Sequence, residues 1–293
     1  MRQISSMQNT LQFNERALQS ARFVLKTKAR SLSFGRRLYQ FQAAADGLSG
    51  AQPLFWLKAQ RSSDPSSSPV QHSAQAEAGF QHELSLYQAL QRQRAGFLLP
   101  FQIIQADCLS FAEALCPQAL VLPDAQLLFS LDPRQLSTAQ IQALLLQATD
   151  ALDQLAQLGW LHADIKQEHF VQHAGQVRLI DLEQAQPIHA PPPPELNATP
   201  RYMAPELFQG QPKSLQSDLY AFGIVLYEWL TGQRLQALHY EDWAYLHCQR
   251  LNIDLPQQFR CFQPVLQAML AKRKSQRMRD FSQVKTRLIT EIA

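Results

Sequence analysis

The sequence predicts an α+β fold in two lobes, a small β-rich lobe followed by a larger helical one. Three features predict it. The first third carries short runs of aromatic and branched residues separated by turn chemistry, such as RRLYQFQ and PLFWLKAQ on either side of ADGLSG. The middle carries STAQIQALLLQATDALDQLAQLG, with a Ser137/Thr138 cap signal at its start and Gly159 at its end, as a long core helix requires. Beyond it, SDLYAFGIVLYEWLTG is nearly all apolar, which suits a helix buried on every side.

Taken in order, the first twenty residues are polar with spaced Leu11, Phe13, Ala17 and Leu18, open to a short amphipathic helix or a loose tail. FVLK, RRLYQFQ, PLFWLKAQ, FLLPFQIIQA and QALVLPDA read as five strands. RSSDPSSSPVQHS, residues 61–73, reads as a Ser/Pro-rich loop. AGFQHELSLYQALQRQ reads as a helix with Phe80, Leu84, Tyr87 and Leu90 on one face. After the long helix, HFVQH and VRLID form two short β pieces around Ala174-Gly175, and PIHAPPPPEL is expected as an exposed loop, neither helix nor sheet. Shorter helices finish the chain.

Bulk composition narrows the function. A chain of 293 residues, 46% hydrophobic and 17% charged, has the length and balance for two packed lobes or one large domain. Its net charge of +3 argues against nucleic acid or an anionic membrane as partner. Cys108, Cys116, Cys248 and Cys261 lack C-x-x-C or zinc spacing and are expected as free thiols in a reducing compartment. MRQISSMQNTLQFNERAL has no secretory apolar region, and no uninterrupted apolar stretch reaches about 20 residues. The expectation is a soluble, cytoplasmic protein with no membrane span.

The chemistry is concentrated in WLHADIKQEHFV, residues 160–171, and in VRLIDLEQA after it. Asp164 and Asp181 both sit where apolar segments end, where a rigid support can present a carboxylate. Phosphoryl transfer asks little else of a protein: one carboxylate to orient the acceptor hydroxyl, one to hold Mg²⁺, and a lysine on the nucleotide phosphates. Asp164, Asp181 and Lys58 can fill those places, and Lys166 can neutralise charge on the transferred group. Each has a plainer reading: Lys58 as a strand-edge lysine, His162 as a packing histidine.

The order of these segments resembles the eukaryotic-type Ser/Thr protein kinase family, including its bacterial Hanks-type branch, from about Phe23 to the C-terminus. LHADIKQEHFV is similar to that family's H-R-D-L-K-x-x-N loop, RLIDLEQA falls where D-F-G belongs, and TPRYMAPE resembles the A-P-E segment with Thr199, Tyr202 and Glu206. SDLYAFGIVLYEWLTG resembles the central helix with Asp218 at its start, and Arg277 matches the partner of Glu206. Lys58 resembles the V-A-I-K lysine, with Glu83 as its helix partner. The resemblance implies a bilobal protein-kinase-like fold with an extension at 1–20, an N-lobe at 21–122, a hinge at 123–125 and a C-lobe at 126–293. It also implies ATP, with adenine near Val121 to Asp124, and Glu206–Arg277 as a structural ion pair.

Several positions depart from the family. Ala163 replaces the arginine that would collect an activation-loop phosphate, and Thr199 is the only hydroxyl side chain between Asp181 and Pro200, so activity independent of such phosphorylation is expected. Asp181-Leu182-Glu183 replaces D-F-G, removing the hinge glycine. His169 replaces asparagine and has two readings: a ligand better matched to Mn²⁺ than Mg²⁺, or a brace that keeps only a loop hydrogen bond. This histidine and D-L-E also resemble the lipopolysaccharide-core sugar kinases. KTKARSLSFGRR lacks the glycines of a phosphate-covering loop; Lys26, Lys28, Arg30, Arg36 and Arg37 either substitute charge or form a solvated basic strand edge, and lower nucleotide affinity follows. The expected activity is Ser/Thr protein phosphorylation with ATP and Mg²⁺ or Mn²⁺, in which Asp164 and Lys166 act on the acceptor and phosphoryl group, Asp181 and His169 on metal, and Thr199 on substrate position. A sugar kinase and a pseudokinase that binds partners without turnover are the rivals.

Overall fold

The computed structural model describes residues 11–13, 18–43, 53–62, 71–105, 109, 117–191 and 197–292. It divides into two compact units, Met1–Ala125 and Gln126–Ala293. The ADGLSG turn, Cys108 and Cys116 lie outside the described residues.

In the first unit, β1 (Val24–Leu25), β2 (Arg36–Gln42), β3 (Leu54–Gln60), β4 (Gln102–Gln105) and β5 (Gln118–Pro123) form one antiparallel sheet in the order β1-β2-β3-β5-β4. Strict alternation explains the face it buries. Tyr39 and Phe41 of β2 lie opposite Leu57 and Phe55 of β3, and Ala119 and Val121 of β5 extend the same apolar surface. The segment before β1 closes that surface. Leu18 is 1% exposed, the Phe13 ring lies 4.7 Å from Phe55, and the Leu11 and Phe13 amides donate to Phe101 O and Gln102 Oε1. Leu11 to Phe13 is therefore neither an amphipathic helix nor a loose tail, because its apolar side chains have a core to enter.

Among the described residues, Leu18 and Gln19 are also helical, and the longer helices of this unit are α1 (Ala29–Ser33), between β1 and β2, and α2 (Gln71–Arg92). Helix α2 starts at Gln71, so residues 71–73 of the expected Ser/Pro loop belong to it. FLLP, expected as strand, is irregular although Phe97, Leu98 and Leu99 are almost fully buried; Pro100 brings no N–H to a ladder, and only Gln102–Gln105 pairs over a run of residues.

The second unit is built on α3 (Thr138–Gln157), whose Ser137–Gln140 capping box and left-handed Gly159 (φ 88°) give it the expected ends. Strands β6 (Gln126–Leu127), β8 (Phe170–His173) and β9 (Gln176–Leu179) form one small sheet, and β7 (Trp160–Leu161) pairs with β10 (Gln186–Pro187). Pro187, expected in an exposed loop outside any sheet, is a strand residue opposite Trp160; a two-residue ribbon tolerates its missing donor. Helices α4 (Pro205–Phe208), α5 (Leu215–Thr231), α6 (Tyr240–Tyr245), α7 (Gln263–Met269) and α8 (Phe281–Thr290) follow, with a π-helical turn at Leu246–Arg250. Helix α5 is the buried axis: Phe222 stacks on Phe170 and meets Phe281 edge-on, and a Cβ on Gly223 would come within 2.9 Å of Leu270. Buried Arg277 forms a two-pronged pair with Glu206 at 2.7 and 2.9 Å, holding α4 against the axis. Among the described residues no helix is long and apolar enough to cross a membrane.

Candidate active site

In the first unit the candidate residue is Lys58. Alternation along β3 puts Phe55, Leu57 and Ala59 into the core and turns Lys58 to the other face, where Nζ meets the Glu83 carboxylate of α2 at 2.7 Å. Glu83 is 1% exposed, so the pair is fixed by packing. Val121, expected beside adenine, has no exposed side chain and faces the core with Leu57. Asp124 accepts a 2.6 Å hydrogen bond from Trp56 Nε1.

The stretch where a phosphate-covering loop was sought is folded onto itself. In α1 and the turn after it, the amides of Ser31, Leu32, Phe34 and Gly35 donate to Lys28, Ser31 and Leu32 carbonyls. Arg37, one of the basic residues considered for the phosphates, is buried, with Nη1 on Leu32 O and Arg36 O; for this residue neither phosphate charge nor a solvated edge describes the role. Gln60 Nε2 donates to Phe34 O at 2.7 Å, closing the strap onto β3.

In the second unit the candidates are carboxylates. Asp164 stands in the loop after β7, where Lys166 Nζ donates to Oδ2 at 2.7 Å and Thr199 Oγ1 to Oδ1 at 3.2 Å. Both neighbours of Asp164 singled out from sequence are therefore on its carboxylate. Asp181 follows β9 with φ 62° and Ala163 precedes Asp164 with φ 63°, left-handed conformations that L-residues hold only when their surroundings impose them.

His169 links the two carboxylate positions. Its Nδ1 lies 2.8 Å from the Asp164 carbonyl and its Nε2 lies 3.3 Å from Asp181 Oδ2. A carbonyl only accepts, so Nδ1 carries a proton and Nε2 is the nitrogen that faces Asp181. Burial disfavours charge on this ring, but the hydrogen bond and charge of Asp181, with the charge of Asp164, outweigh it and raise the pKa above the ordinary histidine value. A proton on Nε2 and a cation on Asp181 are thus alternatives at one place. Oxygen from Asp181 and nitrogen from His169 make a donor set that fits a divalent ion of Mn²⁺ type more closely than Mg²⁺.

Three further groups frame the loop, of which only Lys213 was not named from sequence. His162 stacks on His169 at 5.5 Å; burial, and then the His169 charge, lower its pKa to about 4 and keep it neutral. Asp218, assigned only by resemblance, accepts the His162 amide at 2.8 Å and the Ala163 amide at 3.1 Å; burial pushes its pKa up to about 7. Lys213 donates to the carbonyls of Ala163 and Asn197 at 2.6 and 2.5 Å. Nothing in the run QPKSLQSD marks that lysine, because its acceptors are main-chain atoms. Downstream, buried Glu228 accepts from the Leu235 amide at 2.7 Å and the Tyr202 hydroxyl at 3.5 Å, holding the TPRYMAPE segment on α5.

Known proteins place this arrangement. The family model for the protein kinase domain matches residues 120–290, more than half of the chain. Serine/threonine-protein kinase TIO of Arabidopsis thaliana is 35% identical over 105 residues, 35% of this chain and 8% of that protein. The cGMP-dependent protein kinase of Plasmodium berghei is 36% identical over 98 residues, 33% and 11% of the two chains. Probable serine/threonine-protein kinase PknB of Lactococcus lactis is 31% identical over 94 residues, 31% and 15%. The matched part is less than a sixth of each of these relatives. The likeness to lipopolysaccharide-core kinases finds no support among them.

Proposed function

We propose a catalytic role for this chain, which belongs to the protein kinase domain family: transfer of the γ-phosphate of ATP to a serine or threonine hydroxyl of a protein. The observation that carries the reading is the Asp164 carboxylate, engaged on one oxygen by Lys166 and on the other by Thr199. A carboxylate so held can accept the proton of an incoming hydroxyl, while the Lys166 ammonium faces the charge that builds on the transferred group. Lys58, oriented by Glu83, grips the phosphates. Asp181 and the Nε2 of His169 would hold a divalent cation, whose charge offsets that of the phosphates. The catalytic domain is assigned to 21–293, with 123–125 joining its lobes and the ATP base near Val121 to Asp124.

Incubation with labelled ATP, Mg²⁺ or Mn²⁺, and either a generic Ser/Thr protein substrate or deacylated lipopolysaccharide core tests the acceptor. Label on serine or threonine is expected. Label on sugar alone overturns the acceptor class. A thermal-shift titration tests the nucleotide: ATP at 100 times its dissociation constant stabilises a fold by about 2.7 kcal/mol. Absence of a shift with either metal would leave a scaffold without turnover.

A further inference from the structure

We infer that Lys213 is a positioning residue that ties the activation segment to the catalytic loop without any covalent modification; the consequence for turnover rests on the phosphotransfer reading above. The argument starts at the Ala163 peptide. Its amide is held by the Asp218 carboxylate at 3.1 Å, and its carbonyl receives the Lys213 ammonium at 2.6 Å. Both grips come from one short stretch, since Lys213 precedes α5 by two residues and Asp218 lies in its first turn. An acid on the N–H and a base on the C=O fix a residue whose φ of 63° needs such support, and Asp164 is the next residue.

The same ammonium reaches across the loop. Its second acceptor is the carbonyl of Asn197, at 2.5 Å. Asn197 stands two residues before Thr199, whose hydroxyl is on Asp164. The ring therefore closes: Lys213 to Asn197, along the chain to Thr199, through its hydroxyl to Asp164, and back through Ala163 to Lys213. With no side chain beyond Cβ, Ala163 cannot make this link, and Lys213 supplies it with an amine of the chain itself. Placing the carboxylate and the segment in one frame is a geometric contribution, of the kind that shows in turnover before it shows in nucleotide binding.

Lys213→Met tests this in the full chain by two measurements. Hydrogen exchange reads the clamp directly, independent of any activity: the Tyr202 and Met203 amides, which donate to Thr199 and Pro200 carbonyls, should exchange at least about tenfold faster while amides of α3 and α8 are unchanged. With the protein substrate, kcat should fall by about tenfold or more with KM for ATP unchanged. A double variant with Thr199→Val should be little slower than the slower single variant, since both act on one carboxylate. Unchanged exchange at 202–203 overturns the proposal, and so does faster exchange spread over the whole second unit. Multiplicative effects of the two substitutions on kcat overturn it as well. If the wild-type chain transfers no phosphate yet local exchange rises in Lys213→Met, the clamp stands and the phosphotransfer reading falls.

Discussion

The strap between β1 and β2 and the loop between β7 and β8 are two short connections with opposite habits. In the strap, amides and one cation turn inward: Arg37 caps carbonyls of its own segment, Gln60 pins Phe34, and the amides of α1 close a helical turn. In the loop, main-chain groups are held from outside by Asp218 and Lys213 and from within by His169, so that the Asp164 carboxylate is presented with two donors on it. The first connection stabilises itself, and the second is stabilised in order to hold a reactive group.

The largest test of this contrast removes the presented group. Asp164→Asn should lower turnover by about 10²–10⁴-fold, the range of a general base, with the unfolding midpoint unchanged. Comparable activity in the variant would reduce the loop to another structural connection. Next, Glu206→Gln leaves the Arg277 guanidinium, itself without solvent exposure, facing a neutral partner. Urea unfolding should show a loss of about 3–5 kcal/mol, because an uncompensated charge is buried in the second unit.

Acid should act on the π-helical turn. His247 is fully buried against Tyr220, 2.9 Å from its hydroxyl, and burial lowers its pKa to about 4. The folded value lies below the ordinary 6.5, so the stability it contributes is present above about pH 6.5 and is lost as pH falls through about 4. The loss is of order 3 kcal/mol. Asp218, with a raised pKa, pulls the opposite way and His162, with its pKa also lowered to about 4, pulls the same way, so the measurement is a difference: between pH 4 and 6.5 the slope of stability against pH should be less positive in His247→Gln than in wild type. Equal slopes would show that His247 does not titrate there.

The smallest effect belongs to the strap. Gly35 has φ 82°, and an added Cβ would lie 2.6 Å from Gln60 Nε2. Gly35→Ala should cost about 1–2 kcal/mol of stability through the left-handed conformation. If the strap does not cradle phosphates, the ATP-induced thermal shift stays the same in this variant; its disappearance would return the strap to the nucleotide site.

Much of this was legible in one dimension. Five β runs, the capped helix ending at Gly159 and the all-apolar α5 follow from periodicity, which reports the side that a residue buries. Asp164 and Lys166 were readable as candidates from the chemistry of phosphoryl transfer, and Thr199 only from the resemblance of TPRYMAPE to the A-P-E segment. The strap was not: KTKARSLSFGRR reads as basic and glycine-poor, and only the sheet brings Gln60 beside Phe34 and turns Arg37 inward. His169 keeps its two readings, ligand and brace, since the fold puts Nδ1 on the Asp164 main-chain carbonyl and Nε2 beside Asp181. What the sequence determined by itself was local, the element types and the presence of the reactive groups, because these depend on neighbours a few residues away. The tertiary structure alone decided which main-chain carbonyl Lys213 meets, which nitrogen of His169 faces Asp181 and which cation the strap keeps for itself, since hydrogen bonds between residues distant in the chain exist only once packing has fixed where both ends lie.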